Sequence, residues 1–116
     1  MDTTSNNDED EIKVKPAITS LVCEELLNEA LGYIAKNSVE QARKMYSHFR
    51  KILKLLETQP GIGTRYLNEM RKMLLGKFPY YIYYIEQEDH IEIAGILHTS
   101  RGTDFMEVYN SKLRQI

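Results

Sequence analysis

His98 and Arg101 stand three residues apart near the C-terminal end of the 116-residue chain, with Arg71 upstream and Tyr109 downstream. Cleavage of an RNA phosphodiester needs a base for the 2′-hydroxyl, an acid for the leaving oxygen, and cations that stabilise the charged phosphorane. His98 and Arg101 are side chains of the types that fill two of those roles. Each also has a plainer one. A histidine closing a strand caps it and orders the turn that follows. An arginine in a turn just past a sheet either forms an ordinary salt bridge or holds a phosphate or carboxylate in its planar fork. If the strand over residues 91–98 is regular, His98 shares a face with Ala94 and Ile96, away from Ile91, Ile93 and Leu97. Arg71 joins Arg101 at one basic pocket if their faces agree.

Around these residues lies an aromatic strand, FPYYIYY, in which Tyr80, Tyr81, Tyr83 and Tyr84 alternate across two faces. At most one pair lines an open surface while the other enters the core. Core filling is the default for any one of them, and the exposed members are suited to receive apolar side chains of a partner. Between Gln41 and Leu56 there are five bases, Arg43, Lys44, Arg50, Lys51 and Lys54, and no acid. Such a run is either a solvated helix face or an electrostatic dock for an acidic partner. Cys23 sits on an apolar helical stripe and reads as a small hydrophobe. Gly61 and Gly63 lack the lysine and Ser/Thr spacing of a phosphate loop and are explained by a turn.

The elements that position these groups follow from periodicity. IKVKP, from Ile12, alternates apolar and basic residues as a short strand does, and Pro16 stops it or opens the next helix. From Ile18 to about Lys36, the residues Cys23, Leu26, Leu27, Ala30, Leu31 and Ile34 keep to one helical face. Ser38 with Gln41 marks a capping-box start for a second helix, whose face carries Ala42, Met45, Tyr46, Phe49, Ile52, Leu53 and Leu56 and which QPGIG ends. The two make a tight hairpin. Beyond a loop, the runs 70–75, 80–85 and 91–97 read as three consecutive antiparallel strands, followed by a turn at RGTD and a short helix in FMEVYNSKLRQI. The expectation is a single α+β domain over residues 12–116: a short N-terminal strand, an α-helical hairpin and a three-stranded antiparallel meander.

Composition narrows the function classes. A lone cysteine forms no intramolecular disulfide, and three scattered histidines suggest no metal-ligand cluster, so neither metal nor cofactor is expected. No run resembles a membrane span or a secretory signal, which points to the cytoplasm. Residues 1–11 hold five acids and no base, and read as a disordered acidic tail; the remaining residues carry 15 bases against 12 acids, a balance of +3. That balance favours acidic partners only mildly.

Taken in order, the helix ending ALGYIAKNSVEQAR, then QPGIG, then a basic approach to KFPYYIYYIEQEDHIEIAGILHTSR resembles the RelE/ParE superfamily, the toxin halves of bacterial type II toxin–antitoxin pairs, over about residues 12–105. The most specific part is FPYYIYY, a strand ending ILH, and an arginine three residues beyond that histidine. The resemblance implies a toxin silenced by a cognate antitoxin that wraps it, and operator DNA reached only through that antitoxin. RelE-like members cut mRNA in the ribosome; ParE-like members poison DNA gyrase. ILHTSR looks more like the ParE side, and Tyr81 stands where nuclease members carry an arginine, which counts against cleavage because tyrosine cannot replace a fixed positive charge. The expected function is therefore a ParE-like gyrase inhibitor, with Arg43, Arg50, Lys54, Tyr81, Tyr83 and Arg101 as candidate contacts to antitoxin or target. The alternative is a ribosome-dependent endonuclease using Arg71, His98, Arg101 and Tyr109, the last aligned with a base-stacking tyrosine of the nuclease members. An inactive relic retained for antitoxin binding or operator regulation is the third possibility.

Overall fold

The computed structural model describes residues 14–101 and 104–116. The acidic tail, the first two residues of the expected N-terminal strand and the centre of the RGTD turn lie outside the described residues. Five strands form one sheet in the order β1-β5-β4-β3-β2. These are β1 (Ala17–Thr19), β2 (Thr64–Leu67), β3 (Met70–Leu74), β4 (Tyr80–Glu86) and β5 (Ile91–His98), joined by helices α1 (Leu21–Ala35), α2 (Val39–Thr58) and α3 (Phe105–Gln115). β1 runs parallel to β5, and the other pairings are antiparallel.

The N-terminal strand exists but begins after Pro16, not before it. The Lys15 N–H is taken by the carbonyl of Glu57 at the end of α2, so the ladder opens only where the Pro16 carbonyl accepts from Ile91 N. Ser20 then caps α1, its hydroxyl accepting from Cys23 N at 3.0 Å. At the hairpin's second start, Ser38 accepts from Gln41 N at 3.1 Å. The expected apolar stripes are buried, except that Leu31 and Ile34 are half-buried and Tyr46 is 43% exposed.

The segment expected to be a loop after the hairpin contains a strand, β2, which makes the sheet five-stranded. TRYL is short, its register slips between Arg65 and Leu67, and Asn68 turns into β3 with φ of 52°. It therefore has neither the length nor the alternation that mark a strand.

Register assigns the faces. Tyr80, Ile82 and Tyr84 alternate onto one face of β4, opposite His98, Ile96 and Ile93 of β5. The helical hairpin covers this face: α1 supplies Leu26, Ala30 and Tyr33 beside Tyr80 and His98, and the Tyr84 hydroxyl donates to Pro60 O beyond α2. Tyr81, Tyr83 and Ile85 point the other way, opposite Leu97, Gly95 and Glu92. A bulge at Ala94 switches parity within β5, since Tyr83 pairs with Gly95 but Tyr84 with Ile93. His98 thus shares its face with Ile91 and Ile93, contrary to the expectation for a regular strand.

Candidate interaction surfaces and the His98 hollow

Where β4 and β5 end, a hollow of about 200 Å³ is bordered by Tyr66, Lys72, Tyr81 and Tyr83 of the face away from the hairpin and by His98 at the close of β5. Lys72 lies opposite Tyr83 on β3, and its ammonium sits 4.3 Å from the Tyr81 ring centre and 5.7 Å from that of Tyr66. This cation–π placement leaves one fixed positive charge at the hollow. His98 closes β5 and is tied to the turn after it. Its Nδ1 accepts from Ser100 N at 3.0 Å and lies 2.7 Å from Ser100 Oγ. In the neutral ring the proton is therefore on Nε2, and the basic nitrogen is occupied. The Tyr80 ring meets the imidazole edge-on at 4.9 Å.

The four residues of the cleavage constellation are not gathered here. Arg71 pairs with Tyr84 on the hairpin side, and its guanidinium donates to Gly63 O at 2.8 Å. Arg101, exposed in the turn Thr99–Arg101, borders a second cleft of about 360 Å³ with Glu29, Tyr33, Tyr80 and His98. Tyr109 packs 6.0 Å from Phe105; burial first, and then the charge of Glu92, raises its pKa. Glu92 is six residues from His98 along β5, roughly 20 Å at the strand rise. Of the four, only His98 and Arg101 share a cleft, and Arg71 and Arg101 do not form one basic pocket.

Tyr83, a candidate contact, is 5% exposed. The Phe105 ring stacks on it at 4.0 Å with the planes 7° apart, and Tyr66 meets it edge-on at 5.1 Å. With α3 seated, Tyr83 offers a partner only the edge that borders the hollow. The seat is held by hydrogen bonds as well: the Tyr66 hydroxyl donates to Asp104 Oδ1 at 2.8 Å and accepts from Phe105 N at 2.9 Å, while Asp104 caps α3 through Met106 N. Burial, together with the nearby hydroxyls of Tyr66 and Tyr81, pushes the Tyr83 pKa up to about 12. Tyr81 keeps part of its surface in the hollow. Sequence reasoning missed Tyr66 and Lys72. Tyr66 lay in the unrecognised strand, whereas Lys72 stands in plain alternation with Met70 and Leu74 on β3 and was open to notice.

The outer side of α2 is the other surface. Arg43, Ser47, Arg50 and Lys54 follow helical spacing along one stripe, and all are exposed. Two adjoining hollows share Tyr46 and Ser47. One is apolar, with Leu31, Val39 and Ala42; the other is cationic, with Arg50, Lys51 and Lys54. Among the described residues, no cluster of His, Cys, Asp and Glu could hold a metal, and no described helix is long and apolar enough to cross a membrane.

Comparison with known proteins places this geometry. The family described as "ParE toxin of type II toxin-antitoxin system, parDE" matches residues 23–102, from the first turn of α1 to the end of the turn after β5. A solved structure described as "Chromosomal ParDE TA system from P. aeruginosa" matches with a TM-score of 0.65 and 17% identity, covering 74% of this chain and 97% of that one. That likeness bears on the fold. No curated protein matches the chain. Because the family match runs through both hairpin helices and strands β2 to β5, well over half of the sequence, the protein belongs to the ParE toxin family of type II toxin–antitoxin systems.

Proposed function

We propose that this toxin arrests growth in the bacterial cytoplasm by inhibiting DNA gyrase, and that a cognate ParD-type antitoxin neutralises it. One observation carries the choice of target: the open hollow has Tyr81 at the position where a nuclease would need an arginine, and Lys72 is its one fixed cation. A phosphorane formed there would meet a single ammonium already drawn onto aromatic faces, beside an imidazole whose basic nitrogen is engaged by Ser100. Such a surface is better suited to binding a macromolecule than to cutting one. The exposed stripe of Arg43, Arg50 and Lys54 with Tyr46 supplies a face of mixed apolar and cationic character, and the end of the sheet supplies two more contacts, Tyr81 at one hollow and Arg101 at the other cleft, for the antitoxin and the target. The test is a supercoiling assay with purified gyrase, in which supercoiling should fall as toxin is added and recover when the antitoxin is supplied. Unchanged supercoiling at saturating toxin would reject the proposal.

The endonuclease reading draws on a different observation, the shared cleft of His98 and Arg101. It predicts cut messages in cells expressing the protein and intact ones with Arg101→Ala. Growth arrest alongside intact messages in the unmodified protein dismisses it, and absence of any arrest would leave only an antitoxin-binding relic.

A further inference from the structure

The first described residue, Val14, emerges beside the C-terminal end of α2, where the Lys15 N–H donates to Glu57 O at 3.1 Å. Acids occupy residues 8–11, three to six positions before Val14. An extended chain of that length reaches about 10–20 Å from the anchor. Lys54, Lys51 and Arg50 lie three, six and seven residues back along α2 from Glu57, or about 4.5–10.5 Å along the axis. All three are exposed and border one hollow. The ion pairs formed by other lysines, Lys15 with Glu86, Lys44 with Glu40, and Lys112 with Glu25 and Glu29, do not involve them. Glu57, the one acid at that hollow, has Oε2 committed to Ala17 N at 2.9 Å. Four carboxylates are therefore tethered within chain reach of three cations, and the field between them is screened over about 8 Å at physiological salt.

We propose that residues 8–11 dock within their own chain on the face formed by Arg50, Lys51 and Lys54, and so compete with any polyanionic partner for that face. Three exposed ion pairs favour the docked state over the undocked one by about tenfold at low salt. At high salt the ratio falls toward one. The inference holds whichever macromolecule the toxin acts on.

The test uses the full chain with a nitroxide on Asn7→Cys; Cys23 is fully buried, so the label goes to the new thiol. Paramagnetic broadening of amide signals should concentrate on residues 47–54 at low salt and be relieved at high salt. It should be lost in the triple reversal R50E/K51E/K54E, and return when that reversal is combined with D8K/E9K/D10K/E11K. Broadening confined to the residues flanking Val14 and Glu57, or broadening over residues 47–54 that charge reversal leaves unchanged, would overturn the proposal. Both charge variants alter only solvent-facing positions of α2 or the chain before Val14, so loss of folding does not confuse the result.

Discussion

Gly95→Ala should unseat the C-terminal helix. A Cβ on Gly95 would stand 2.6 Å and 2.7 Å from Cζ and Cε1 of Phe105, and 3.1 Å from Cδ1 of Leu26. Ordinary contact begins at 3.4 Å, so the Phe105 ring would have to withdraw by most of an ångström. It has little room to do so, because it is fully buried, stacked flat on Tyr83, and fixed at its own amide by the Tyr66 hydroxyl. Overpacking of this kind costs about 1–3 kcal/mol. Replacing glycine also removes unfolded-state freedom, which returns about 0.4–1 kcal/mol. The net loss should be about 1–2 kcal/mol, read as a lower urea midpoint at unchanged slope and a fall of roughly 5–12 °C in Tm. In a Phe105→Leu background the same change should cost less, with a coupling of about 1 kcal/mol in the double-mutant cycle. An unchanged midpoint for Gly95→Ala, or strict additivity with Phe105→Leu, would refute the claim that Phe105 fills the space a side chain at 95 would need.

Tyr66→Phe removes the acceptor of Phe105 N and the donor to Asp104; a loss of about 1–2 kcal/mol is expected, with faster hydrogen exchange at the first amides of α3. Burial raises the pKa of Tyr66, Tyr80, Tyr83, Tyr84 and Tyr109, that of Tyr83 to about 12. Between the ordinary phenol value near 10 and about 12, the folded chain holds protons that the unfolded chain has released, so these groups' contribution is full below about pH 10 and declines as pH climbs. Urea midpoints should be insensitive to these tyrosines up to about pH 10 and then drop, and phenolate absorbance should appear together with unfolding. Cys23 is fully buried, and burial, then Glu24, pushes its thiol up to about 12; a thiol reagent should label it only in denaturant, and rapid labelling of the folded protein would contradict the packing of α1.

The hairpin was readable in the sequence because its signals are local: a 3.6-residue apolar period, Ser38 accepting from the Gln41 amide, and a breaker at QPGIG. The strands β3, β4 and β5 were readable for a similar reason, since aliphatic and aromatic runs were separated by turn residues. What failed depended on partners distant in sequence. β1 begins where Ile91 offers an N–H to Pro16, and nothing in IKVKP specifies that register. β2 is an edge strand defined by its pairing with β3, and its own four residues carry little apolar pattern.

The candidate site shows the same division more sharply. The face expected for His98 from a regular strand does not hold, because one extra residue at Ala94 reverses the alternation of β5 and turns His98 toward the hairpin side with Ile91 and Ile93. Alternation makes Tyr81 and Tyr83 equal candidates for core or contact, and what separates them is Phe105, 22 residues beyond Tyr83, which passes over a glycine on the neighbouring strand and buries Tyr83. The consequence for function is physical. The aromatic side of the sheet is largely spent on seating α3, which confines its exposed chemistry to Tyr81 and Lys72 at one end, where His98 reaches the rim from the close of β5. A run of exposed cations, Arg50, Lys51 and Lys54, lies instead on α2, beside the point where the acidic segment joins the fold. A partner therefore meets a cationic run on the helix and an aromatic hollow at the end of the sheet, and affinity and selectivity should accordingly respond to substitutions at different places.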